Sequence, residues 1–395
     1  MAAVPEGFRL GVNYWPSESA MGWLRSYDPA VVRRDFRTVA AAGMDTVRIF
    51  LLWEDIQPTS ATIDPASLDC VIDAADAAGE AGVELIVTLF TGHMSGVNWV
   101  PRWATGGEDG DRRFRVSSGG KIQPTAMVMR NWYSDPDVVD AQARLAAGVS
   151  AALAGHPAVW AWDLGNENSN CTIPPDADSA DRWLERMTSV LRESDPSSLV
   201  TVGTHMEDLE NDRRIGPLEA SRWCDFVCMH GYPIYAEWSS GPTDEFLVPF
   251  LTELTGWLAG GAPVLFEEFG LPTALPGTKP VGVQVSEADA AVYTARTLDG
   301  VRDAGGIGAL LWCYTDYAAD LHAVPPLDLA THERSFGLWR ADRTPKPALA
   351  EVTARSGLTM LPPPGVGRWL DIGVEEFSED RRRQLLRLYG RYRER

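Results

Sequence analysis

The run Val83-Glu84-Leu85-Ile86-Val87-Thr88-Leu89-Phe90 is apolar at nearly every position, so as a strand it has no face to offer to water. Strands buried on both faces belong to parallel sheets covered by helices. Further apolar, β-rich runs begin near Phe8, Asp45, Val159, Leu199, Asp225, Pro263 and Gly308. Between most of them lies an alanine-rich amphipathic stretch, as at 30–42, 65–81, 136–155 and 287–304. Eight strands alternating with helices over about 350 residues is the count for an α/β fold of one kind, the (β/α)8 TIM barrel. A doubly wound open sheet competes, but no Gly-rich phosphate fingerprint follows any of the strands. The barrel is the expected fold.

Long interruptions fall after presumptive strands and therefore on the rim. The third βα connection, 91–135, is the longest and carries Trp99, Trp103 and Trp132, and a second long one spans 316–334. Connections of this length in a compact domain are usually either functional or disordered. Beyond Thr344-Pro345-Lys346-Pro347 the last barrel helix is expected to run to about Gly357. Pro362-Pro363-Pro364 then breaks the chain before a basic helix at 375–395. The expected organisation is a catalytic barrel over 1–357, with a Pro-rich turn and a C-terminal helical tail (358–395) packed on it.

The net charge of −20 argues against nucleic acid or an anionic membrane surface as partner, since both call for a basic footprint. No apolar stretch approaches the roughly 18 residues of a membrane span. The opening Met1-Ala2-Ala3-Val4-Pro5-Glu6-Gly7 has neither a basic n-region nor an apolar h-region, so no signal peptide is expected. Five scattered cysteines, an odd number, suit reduced thiols in the cytoplasm. No residue pattern calls for a cofactor, and nothing in the chain sets an oligomeric state.

Two strand ends carry the chemistry. Val159-Trp160-Ala161-Trp162-Asp163-Leu164-Gly165 runs into Asn166-Glu167, and Val264-Leu265-Phe266 runs into Glu267-Glu268-Phe269-Gly270. Carboxylates this far apart in sequence meet only if both strands belong to one parallel barrel whose C-terminal rim is the site. Hydrolysis of a glycosidic bond needs such a pair, one protonated and one ionised, flanking the scissile bond. The 15 tryptophans offer flat faces on which sugars stack. Neighbours on a strand face opposite ways, so only one of Glu267 and Glu268 should point into the barrel mouth.

With these residues assembled, the chain resembles glycoside hydrolase family 5, the cellulase and mannanase family of the retaining clan A barrels. The resemblance covers about residues 8–355. Strand two ends Thr46-Val47-Arg48-Ile49 with Ile56-Gln57-Pro58 shortly after, and strand three reaches His93. Strand four supplies Asn166-Glu167, strand six His230-Gly231-Tyr232, strand seven Glu268-Phe269-Gly270 and strand eight Trp312. A lone strand-end histidine reads as a satisfied structural residue, but the ordered set of eight does not. The resemblance implies Glu268 as nucleophile, immediately before the aromatic-Gly pair, and Glu167 as acid/base, leaving Glu267 a structural carboxylate. It implies Arg48 and Tyr232 beside Glu268, Asn166 on the sugar 2-hydroxyl, His93 and His230 as polar wall and Trp312 as stacking floor.

Family membership does not name the sugar. Without a secretion signal, a small oligosaccharide or glycoside is the expected substrate. A looser similarity to intracellular exo-acting β-mannosidase-like members rests on Gly11-Val12-Asn13-Tyr14-Trp15-Pro16, Phe50-Leu51-Leu52-Trp53-Glu54-Asp55 and Thr91-Gly92-His93-Met94-Ser95-Gly96. It implies that the third loop, with Trp99 and Trp132, closes a pocket on the glycone side. Trp53 and Glu54 could then add sugar contacts, or simply pack and cap the rim. The alternative is a β-glucosidase, or an endo-β-1,4-glucanase or mannanase acting on oligosaccharides. A metal-dependent barrel hydrolase would show clustered ligands such as His-x-His, and the six histidines are dispersed.

Overall fold

A computed structural model describes residues 7–106, 113–123, 127–365 and 367–395. Eight strands form the barrel: β1 (Arg9–Asn13), β2 (Thr46–Leu52), β3 (Glu84–Thr91), β4 (Val159–Asn166), β5 (Leu199–Gly203), β6 (Val227–His230), β7 (Val264–Phe269) and β8 (Gly308–Leu311). Seven parallel pairings join β6-β7-β8-β1-β2-β3-β4-β5. The gap between β5 and β6 closes through a parallel bridge of His205 with His230. There the His230 amide donates to the Thr204 carbonyl at 2.9 Å and the Asp225 amide to that of Val200 at 2.8 Å.

Several helices are started by Asp-Pro pairs. Asp28, Asp64 and Asp135 each accept a backbone N–H of the first turn, and Pro29, Pro65 and Pro136 begin the helices. Proline at that position gives up an N–H that would have no partner anyway, and the aspartate satisfies another, worth about 1 kcal/mol.

The barrel interior is built in two tiers by the strand period of two. Ile86, Ala161, Cys228, Leu265 and Leu310 belong to one small apolar cluster. Two residues further along the same strands come Thr88, Asp163, His230, Glu267 and Trp312. The same alternation that fills the bottom of the barrel with hydrocarbon therefore delivers polar groups to its C-terminal mouth.

The 91–135 connection is not a bare loop. Its segments His93–Met94, Val97–Trp99, Arg115–Ser118 and Lys121–Ile122 pair into a four-stranded sheet on the rim. The tail is two helices, Val374–Glu379 and Arg381–Arg393, because Asp380 leaves helical geometry at φ −152° and ψ 67°. Tyr389 donates to Asp244 at 2.5 Å and packs edge-on against Trp238, while Tyr392 packs against Phe250 and Trp369. The tail thus braces the segment that follows β6. Among the described residues no helix is long and apolar enough to cross a membrane.

Candidate active site

Arg48, fully buried on β2, organises the mouth. Its Nη1 donates to Glu268 Oε1 at 2.7 Å and its Nη2 to Asp163 Oδ2 at 2.6 Å. Its Nε donates to Thr88 Oγ1 at 2.9 Å and lies 3.3 Å from Glu267 Oε1. Asn13 and Asn166 accept the remaining hydrogens at 3.2 and 3.1 Å. Burial would lower the guanidinium's pKa, but Glu267, Asp163 and Glu268 outweigh it and drive the value up, so Arg48 is a permanent cation.

Strict alternation would admit only one of Glu267 and Glu268 to the mouth, and the structure departs from it. The β6–β7 register runs Met229 opposite Phe266 but His230 opposite Glu268, and β7–β8 slips over the same stretch. An extra residue on β7 there turns both carboxylates inward, as a bulge does. Glu268 faces the cavity, where Tyr232 donates to its Oε2 at 2.8 Å. Glu267 lies one layer deeper, with no exposed surface, and meets His230 Nε2 at 3.1 Å.

Glu167 follows β4 in the left-handed region, φ 49° and ψ 45°. That conformation costs a residue with a side chain roughly 1–3 kcal/mol and is kept where surroundings enforce it. Its amide is held by the Gly203 carbonyl at 3.0 Å. The approach requires Gly165 (φ 145°), where a Cβ would sit 2.3 Å from Asn168 Oδ1 and 2.7 Å from the Phe90 carbonyl oxygen. The Glu167 carboxylate accepts from Asn170 Nδ2 at 3.1 Å and lies 3.1 Å from His230 Nδ1. His93 Nε2 and His205 Nδ1 stand 4.0 Å away. One oxygen of Glu167 and one of Glu268 lie within 4.8 Å of each other.

The charges follow from this crowd. Burial raises the Glu167 carboxyl, but His205, His230 and His93 outweigh it and the net direction is down. At Glu268 burial wins over His230 and Arg48, Glu167 adds to it, and the direction is up. Burial lowers His230, yet Glu268, Glu167 and Glu267 push it up to about 10. His93 is driven down by burial and stays neutral. His230, between the two carboxyls, is therefore the group held cationic, while Arg48 at 2.7 Å and the Tyr232 hydroxyl at 2.8 Å supply Glu268 with partners for its charge. The three side chains Glu167, His230 and Glu268 are near enough to share a cation, but their atoms already engage one another, Tyr232 and Arg48 in hydrogen bonds.

These groups line a cavity of about 330 Å³ together with Asn166, His93 and Trp312. Asn166 is fixed at both ends, its Nδ2 donating to the His93 carbonyl at 2.9 Å and its Oδ1 accepting from Arg48. The rim closes over one side. Glu333, from the connection after β8, accepts from Trp312 Nε1 (3.1 Å), Ser95 Oγ (3.1 Å) and Tyr235 OH (3.0 Å), joining three loops. Phe114 packs against the His93 ring at 4.4 Å and adds an apolar wall.

Trp132 and Trp99 correct the expectation of sugar contacts, and for Trp53 and Glu54 the packing and capping alternative is the one found. Trp53 and Trp132 have no exposed surface and pack on each other at 5.0 Å, with Phe90 and Trp103 around them, so they are the core beneath the rim sheet rather than sugar contacts. Trp99 is 5% exposed, donates to the Met94 carbonyl and faces a separate cleft beside Arg25 and Arg115. Glu54 pairs with Arg25 at 2.7 Å and accepts the Gly119 amide at 2.7 Å, tying β2 to the rim sheet. The 91–135 connection does wall the cavity, but through His93–Gly96 and Phe114.

Some residues escaped the sequence. His205, two positions past β5, obeys the strand-end rule and was findable by it. Asp163 and Asn170 flank the Asn166-Glu167 pair. Glu333, Tyr235 and Phe114 sit far along irregular connections, where no period marks them.

The barrel has known counterparts. The family model for cellulase (glycosyl hydrolase family 5) matches residues 9–318. The GH5_18 enzyme of Streptomyces cattleya, solved with GlcNAc, superposes with a TM-score of 0.78 at 27% identity, over 95% of this chain and 87% of that one. Its glutamate-to-alanine variant, solved with Manb1-4GlcNAc, gives 0.74 at 28%, over 88% and 80%. An exo-beta-1,4-mannosidase from Opitutaceae bacterium strain TAV5 gives 0.72 at 25%, over 89% of this chain and 59% of that longer one. Putative mannan endo-1,4-beta-mannosidase 5 of Oryza sativa subsp. japonica is 26% identical over 353 residues, 76% of this chain and 67% of the relative. The chain belongs to glycosyl hydrolase family 5 and is a glycosidase.

Proposed function

We propose that the protein is a retaining, exo-acting β-mannosidase that removes the non-reducing mannose of short β-mannosides. The observation that carries the mechanism is the approach of Glu167 and Glu268 oxygens to within 4.8 Å. Retaining enzymes hold their carboxyls about 5–5.5 Å apart, whereas inverting ones leave room for a water at roughly 6.5–9.5 Å. Glu268 attacks the anomeric carbon, its charge held by Arg48 and Tyr232, while Glu167 protonates the departing oxygen. Glu167 then takes a proton from the water that releases the sugar. In this reading Asn166, whose Nδ2 spends one hydrogen on the His93 carbonyl, offers the other to the sugar 2-hydroxyl.

The exo reading is supported by the Glu333 lock joining Ser95, Tyr235 and Trp312, which closes one side of the cavity against a continuing polymer. The relatives bound to Manb1-4GlcNAc and named exo-beta-1,4-mannosidase favour a β-mannoside with a short aglycone. Cys70, Cys224, Cys228 and Cys313 form no disulfide, which suits a reducing compartment, and we take the cytoplasm as the place of action. Time-resolved product analysis on Manβ1-4GlcNAc, mannobiose, longer mannan oligomers and cellobiose tests the reading. Release of mannose with retained configuration is expected. Rapid internal cleavage of long mannan, or faster turnover of cellobiose, would refute it.

A further inference from the structure

Glu267 takes no part in the two-carboxylate scheme, yet it is a fully buried carboxylate 3.1 Å from His230 Nε2. The other nitrogen of that ring, Nδ1, is 3.1 Å from Glu167 Oε1 and 3.6 Å from Glu268 Oε2. The three side chains form a line from the barrel interior to the acid/base. We propose that Glu267 is a positioning residue that holds His230 by its Nε2–H, so that Nδ1 stores the proton which Glu167 delivers to the leaving oxygen.

This deepens the retaining mechanism above and rests on it. With His230 as imidazolium, Nδ1–H donates to ionised Glu167. When the proton moves, the Nδ1–H bond breaks, its electron pair stays on Nδ1, and an O–H forms on Glu167 Oε1. The Nε2–H remains on Glu267 in both states, so the ring has an acceptor for it throughout. A bound sugar excludes water, and a buried neutral pair then costs less than a buried ion pair. Glu167 gives the proton to the glycosidic oxygen, later takes one from the hydrolytic water, and can return it to Nδ1. Without an anion at 267, His230 would be free to keep its single proton on Nδ1. A neutral imidazole N–H is too weak an acid to hand that proton on.

Other charges face the line. Arg48 Nε stands 3.3 Å from Glu267 and opposes the charge on His230. Asp163 shares the Arg48 guanidinium with Glu267, and the buried Cys228 thiol lies beside it. Tyr232 and Arg48 hold Glu268 from the far side, and His93 and His205 face Glu167. Arg48 also supplies the competing explanation, in which Glu267 merely anchors the arginine that holds the nucleophile.

The Glu267→Gln variant separates the two. A dinitrophenyl β-mannoside leaves with little protonation, whereas a β-mannosyl disaccharide needs the acid. General acid help is worth roughly 100- to 10,000-fold. The variant should therefore lose at least about tenfold in kcat/KM on the disaccharide, with the alkaline limb of its pH profile moved down by about one unit or more. On the dinitrophenyl glycoside it should lose no more than about threefold. Nitrogen-15 NMR of the His230 ring should show an imidazolium persisting above pH 8 in the unmutated protein and titrating lower in the variant. Equal losses on both substrates, or an unchanged His230 titration, would overturn the proposal. If the unmutated protein cleaves no β-mannoside, the functional reading fails, while the NMR titration still decides the role of Glu267. Should the glutamine variant not fold, Glu267→Asp keeps the anion at shorter reach, and the same split or equality of losses decides.

Discussion

Replacing Arg48 by methionine keeps the volume at the barrel mouth and removes the cation that Asp163, Glu267 and Glu268 share. Breaking a buried ion pair by deleting one partner costs about 3–5 kcal/mol, because the charge left behind has neither water nor counterion. The unfolding entropy of about 2.1 cal/mol/K per residue, over 395 residues, is about 0.8 kcal/mol/K, so Tm should fall by about 4–6 °C. The orphaned carboxyls should escape the penalty by holding protons, which raises their folded pKa above the unfolded value. Such a group binds more protons folded than unfolded, so stability falls as pH rises through that window. The penalty should therefore be larger at pH 8 than at pH 5. Urea denaturation of both proteins at the two pH values measures it. A penalty below about 1 kcal/mol, or one equal at both pH values, would refute the reasoning that Arg48 is held by charge rather than by shape.

Glu268→Ala should lose activity by several orders of magnitude and regain turnover with added azide, giving an inverted product by NMR. Glu167→Ala should retain glycosylation by dinitrophenyl substrates and lose it on disaccharides, read as a leaving-group dependence of kcat/KM. Trp132→Ala should cost about 3–5 kcal/mol of stability, by calorimetry or denaturant titration, with KM near that of the unmutated protein, since the ring has no exposed surface. Trp312→Ala should instead raise KM, because its indole lines the cavity. His230, pushed up to about 10, contributes stability that is fully present below its ordinary value of about 6.5 and is lost as pH rises through 10. His230→Phe should remove that alkaline slope.

The sequence carried the scaffold with little ambiguity. Near-continuous apolar runs at 84–91 and 159–166 cannot be half-exposed strands, and the Asp-Pro punctuation at 28–29, 64–65 and 135–136 starts the helices where the amphipathic stretches begin. Once all strands are parallel, every strand end is on one rim, which is why Arg48, Asn166, Glu167, His230, Tyr232, Glu268 and Trp312 converge. Tryptophan count misled for a plain reason. Trp53 and Trp132 lie beside the rim in sequence, but a large flat ring is as useful under a loop as in a sugar site. Only burial distinguishes the two.

What the tertiary structure alone decided concerns Glu267, Glu268 and Glu333. A two-residue period places one of two neighbouring glutamates inside the barrel, and the register slip between β6, β7 and β8 places both, one above the other. The slip comes from how three strands meet, which no single strand encodes. Glu333 reaches Trp312, Ser95 and Tyr235 from an irregular connection, so its position depends on the packing of three loops at once. Side-chain periodicity is a local property of the backbone and is written in the residue order. Bulges and loop contacts are settled by long-range packing, and there the order of residues is silent.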